Sequence, residues 1–127
     1  MPAKDTATVR VEAPIHPPLL GLDFWGTDAY IVELDGNSVL LPAFHDAALT
    51  PGKHTVTVDV WKGPTGLFGV APLLGKCRGQ LTIDAAVGHA YIIKFKRDER
   101  AELLESIDSP TGVVLIRVPC VPRKNLE

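Results

Sequence analysis

The chain has 127 residues, a net charge of -2 from 13 basic and 15 acidic side chains, and a 46% hydrophobic content. That is enough for one packed core and too apolar for a disordered chain. The balanced charge speaks against an electrostatic nucleic-acid binder, and no apolar stretch reaches the roughly 18 residues a membrane helix needs.

Met1 to Arg10 is polar and lacks a signal-peptide pattern. Thr6 to Glu12 alternates, with Ala7, Val9 and Val11 on one side, and predicts a half-buried strand. Ala13 to Thr27 carries Pro14, Pro17, Pro18, Gly21 and Gly26 and reads as a long irregular connection. Ala29 to Leu34 predicts a strand running into Asp35-Gly36-Asn37, and an Asp-Gly pair between apolar runs is a hairpin signal. Ser38 to Leu41 is the return strand, Ala43 to Leu49 a helical or extended link, and Pro51-Gly52 a turn.

His54 to Trp61 shows the strictest alternation. Val56, Val58 and Val60 share one face; Thr55, Thr57, Asp59 and Trp61 share the other, which is expected to be wet. Gly63 to Gly75 is a second irregular connection, apolar and uncharged. Arg78 to Asp84, Ala90 to Lys96, a strand entered at about Leu103, and Gly112 to Pro119 complete the set, with a helical turn allowed after Asp98. Seven or eight short strands with no helical period predict a single mostly-β domain, an antiparallel two-sheet sandwich, with a small closed barrel as the alternative. Residues 121–127 are expected to be a disordered tail, and Leu126-Glu127 looks like the junction of a purification tag.

Val32-Glu33-Leu34-Asp35-Gly36, followed by Leu49-Thr50-Pro51-Gly52-Lys53-His54-Thr55-Val56-Thr57-Val58, resembles PEGA-like domains, small β-sandwich modules of bacterial surface proteins. Val87-Gly88-His89-Ala90-Tyr91-Ile92-Ile93 and Ile107-Asp108-Ser109-Pro110-Thr111-Gly112-Val113-Val114 resemble the second half of small bacterial envelope lipoproteins. The likeness spans about residues 29 to 118. It does not include the Gly63 to Gly75 insert or the Pro-rich stretch at 14 to 18. It implies a non-catalytic envelope module, in the periplasm or cell envelope, and assigns no active-site residue.

Cys77 and Cys120 each share the phase of an apolar strand face, Cys120 with Val114, Ile116 and Val118. Two readings stand: a disulfide worth about 4 kcal/mol on the chain-entropy model, or two buried thiols. His16, His45, His54 and His89 lack metal-ligand spacing. Ser38, Ser106 and Ser109 occupy no nucleophile elbow, while Asp35 and Asp108 already have turn roles. No catalytic residue, cofactor or metal is expected. Leu67, Phe68, Val70 and Leu73, with Phe24 and Trp25 from the first long connection, form the candidate interaction surface for a protein partner. Membrane association would need a leader or lipid anchor. Two alternatives are a sugar- or small-ligand-binding sandwich using Trp25, Trp61 or Phe68, and a cytoplasmic domain with reduced cysteines.

Overall fold

The computed structural model describes residues 6–12, 26–63, 75–97 and 102–122, and these residues form strands and turns without a helix. In chain order the strands are β1 (Ala7–Glu12), β2 (Gly26–Leu34), β3 (Asn37–Pro42), β4 (Ala47–Leu49), β5 (Gly52–Gly63), β6 (Gly75–Ala85), β7 (Ala90–Arg97), β8 (Glu102–Asp108), β9 (Val113–Pro119) and β10 (Val121–Pro122). They build two five-stranded sheets, ordered β4-β1-β7-β8-β9 and β10-β6-β5-β2-β3. The sheets pack face to face and do not close into a barrel, so the sandwich is the fold.

Alternation dictates the core. Val9 and Val11 of β1, Ile93 of β7 and Leu104 of β8 face Ile31 of β2, Val56, Val58 and Val60 of β5, and Leu81 of β6. All are fully buried. Gly79 lets the two layers approach closely: a Cβ there would run into Leu104 Cδ1 and lie 3.2 Å from the Pro119 carbonyl oxygen.

Several sequence expectations are corrected in detail. Of the two readings of Ala43 to Leu49 the extended one holds: a turn at 43–44 leads into β4. Gly26 and Thr27 already belong to β2. Val121 and Pro122 are not tail but a short strand, held opposite Arg78 and Cys77 of β6. A bulge in β9 at Leu115 shifts the register from Ser106↔Ile116 to Ile107↔Val114. Val114 therefore leaves the inward phase of Ile116 and Val118 and stands 40% exposed.

One pairing runs parallel. The turn at 86–89 crosses between sheets and delivers β7 beside the start of β1, where Gly88 N–H donates to Thr6 O (3.1 Å) and Thr8 N–H to His89 O (3.1 Å). β1 and β7 thus begin at the same end, with Val9 opposite Tyr91 and Val11 opposite Ile93. The expected wet face of β5 is also not wet at its centre. Thr57 and Asp59 are buried there because β5 is the middle strand and side chains of β6 reach across it.

Candidate functional site

The strand directions give the sandwich two unlike ends. At one lie the tight turns: Asp35-Gly36, Pro51-Gly52, residues 86–89 and residues 109–112. At the other, Gly26 of β2 pairs with Gly63 of β5, and Lys62 pairs with Gly75 of β6. Three of the four roots of the connections 13–25 and 64–74 therefore lie on adjacent strands, and the fourth, Glu12, is the end of β1 in the other sheet. Leu67, Phe68, Val70, Leu73, Phe24 and Trp25 lie outside the described residues, as do His16 and the Leu126-Glu127 pair. Trp61 is half-buried, opposite Asp28 on the outer face of its sheet.

The turn end is organised by two His–Asp pairs, one in each sheet. Asp35 takes φ 53° and Gly36 φ 82°, the backbone an Asp-Gly hairpin turn requires. The Asp35 carboxylate accepts from Thr55 N–H (2.9 Å) and lies 2.6 Å from His54 Nδ1. His54 Nε2 is 2.7 Å from the Thr50 carbonyl oxygen. A carbonyl only accepts and an ionised carboxylate only accepts, while Thr50 Oγ1, 3.3 Å from Nε2, can donate or accept; the two acceptors favour the doubly protonated ring. The Asp35 hydrogen bond holds the His54 pKa above its ordinary value, against a smaller opposing effect of desolvation. The same bond, followed by that from Thr55 N–H, holds Asp35 below the usual carboxylate value. One side chain thus joins the β2–β3 turn to the turn before β5.

In the other sheet His89 Nδ1 lies 2.8 Å from Asp108 Oδ2, tying the start of β7 to the end of β8. The His89 ring stacks on Tyr91, with centroids 6.3 Å apart. Tyr91 Oη accepts from Ala86 N–H (2.9 Å) and fastens the crossover between sheets. Asp108 O accepts from Gly112 N–H (2.7 Å), closing the turn into β9. The turn roles assigned to Asp35 and Asp108 thus extend to both histidines.

Each outer face also carries a buried acid that single-strand reading passes over. Asp59, 2% exposed, is gripped by both Arg78 Nε and Nη2, the latter at 2.8 Å from Oδ2. Glu105, also 2% exposed, has Arg117 Nε 2.7 Å from Oε1 and Lys96 Nζ 3.1 Å from Oε2. The Lys96 contact meets the ion-pair distance without hydrogen-bond geometry, so it neutralises charge but leaves Oε2 without a hydrogen bond. Only register discloses these pairs: Asp59 faces Arg78, and Glu105 faces Arg117, from strands apart in sequence. For Asp59 a carboxylate inside a strictly alternating strand was the available signal; β8, Glu102–Asp108, does not alternate strictly and gave none for Glu105.

Cys77 and Cys120 form a disulfide, with Cα atoms 5.2 Å apart and both residues buried. It lies where the chain passes from β9 in one sheet to β10 in the other, tying that crossover to β6. Ser106 is buried in the core with its hydroxyl unpartnered, while Ser38 and Ser109 are exposed. Among the described residues, no group of three or more His, Cys, Asp or Glu is placed to hold a metal ion. The chemistry at hand is that of locked turns and neutralised buried acids on a rigid two-layer scaffold. The chain matches no protein-family model, no curated protein and no solved structure.

Proposed function

We propose that this chain is a non-enzymatic module of the cell envelope that contacts another protein through its two apolar connections, 13–25 and 64–74. The observation that carries the reading is the register Gly26↔Gly63 and Lys62↔Gly75, which sets the end of the first connection beside both ends of the second. Apolar residues drawn from two neighbouring connections make one contact area where either alone would be small. The envelope assignment rests on the resemblance to PEGA-like domains and envelope lipoproteins. It is supported by the buried Cys77–Cys120 bridge, since structural disulfides persist in oxidising compartments.

A photo-crosslinking amino acid placed at position 68 tests the contact in native cells. A discrete adduct is expected there and none from position 109 in the β8–β9 turn; no adduct at 68 overturns the reading. Thiol titration of the denatured, unreduced protein from the same cells should find no free thiol. Two free thiols would overturn the envelope assignment.

A further inference from the structure

Among the described residues four strands form the sheet edges. β4 has 3 residues and β10 has 2, too short to template a partner, whereas β3 and β9 are longer, each ends in a proline, and each meets a bulge, in its partner β2 or in β9 itself. β9 is set apart by the charges on the outer face of its sheet. It runs for 7 residues, Val113 to Pro119, with β8 as its one sheet neighbour among the described residues. Val113, Val114 and Leu115 are 53%, 40% and 49% exposed. Its one charge, Arg117, is turned onto Glu105.

The outer face of this sheet shows what would continue it. Glu12 of β1 faces Lys94 of β7, Lys94 faces Glu105 of β8, and Glu105 faces Arg117 of β9. The row alternates acid, base, acid, base, and stops on a base at β9, the last strand of this sheet among the described residues. Opposite charges directly across a sheet stabilise it and like charges do the reverse. We propose that β9 is a docking edge for an extended, apolar segment of a partner protein, added as a sixth strand with an acidic residue opposite Arg117. A second copy of β9 does not meet this requirement, because Val113 to Pro119 contains no acid. Backbone hydrogen bonds would supply affinity and the acid would set register.

The proposal does not depend on the two long connections. The probes are fluorescent seven-residue peptides of alternating Val and Thr with a central Glu or a central Lys, titrated by anisotropy. The Glu peptide is expected to bind, the Lys peptide about fivefold or more weakly, and a Glu peptide N-methylated at alternate residues not at all. Val114→Lys and Leu115→Lys should weaken binding with the fold intact by circular dichroism, and Phe68→Asp should leave it unchanged. Equal binding of the Glu and Lys peptides, no binding by either, or equal loss in Phe68→Asp overturns the proposal. So does a sedimenting dimer that Leu115→Lys dissociates, which would make the occupant a second copy.

Discussion

His54 gives the molecule a pH dependence whose sign follows from its two acceptors. Its folded-state pKa is raised from 6.5, so its contribution to stability is complete below pH 6.5 and is lost as pH rises through the folded value. Asp35 is lowered from 3.8, so its contribution is complete above pH 3.8 and is lost as pH falls through its folded value. Melting temperature of the wild type should exceed that of His54→Ala most between those limits, and the gap should narrow from pH 6.5 to 9. An unchanged gap would mean the ring is held neutral. The Asp59–Arg78 pair behaves differently, because one partner is buried. Arg78→Met leaves the carboxylate without its guanidinium and should cost about 2–3 kcal/mol in urea unfolding, whereas the double change Asp59→Leu with Arg78→Met should recover most of it. At this scale the turn aspartates were legible, since Asp-Gly chemistry is local. Their histidine partners, each 19 residues away, were not, because the contact exists only once strands are paired.

At the scale of the element, strict alternation identified β1, β5, β6 and β7 and the inward face of each. What alternation cannot carry is a bulge. Leu115 has no mark in Val113-Val114-Leu115-Ile116 to say which apolar residue will be extra, so the facing of Val114 followed only from the register. The short strands β4 and β10 were missed for a related reason: 3 and 2 residues are too few to show a period, and both owe their conformation to a neighbouring strand. Gly79 shares the inward phase of Leu81 and Ile83 in β6, and its missing side chain makes room for Leu104 and the backbone at Pro119. Gly79→Ala should therefore destabilise the protein by about 1–3 kcal/mol through overpacking. Guanidinium melts would show it, and a neutral result would mean that Leu104 can swing aside.

For the whole molecule, the two-layer class was readable from strand count and turn spacing, but the pairing order was not. Nothing in Thr8 to Glu12 states that its partner is the strand beginning at Ala90, or that the pairing is parallel. The candidate contact surface was readable as composition alone, while the flanking strand ends at Gly26, Gly63 and Gly75 were brought together only by the register of β2, β5 and β6. The disulfide needed the same information, since equal phase on two strands says nothing of their distance. Reduction should lower stability by roughly 4 kcal/mol on the chain-entropy model, for cysteines 43 residues apart. Denaturant midpoints with and without reductant would measure it, and coincident midpoints would show that β10 contributes little to the folded state.

The position of β1 has a consequence for how the chain acquires its shape during synthesis. Strands β2, β3, β5 and β6 pair with one another in antiparallel order and can assemble soon after they emerge from the ribosome. β1, though made first, sits between β4 and β7 and waits for Ala90 to Lys94 before its second ladder can form. Such long-range closure is slow. Until it occurs, the valines of β5 present an uncovered apolar layer, so pulse-labelled amides of β5 should gain protection before those of β1. A nascent chain halted before β7 is the species for which a holding chaperone would have most to cover.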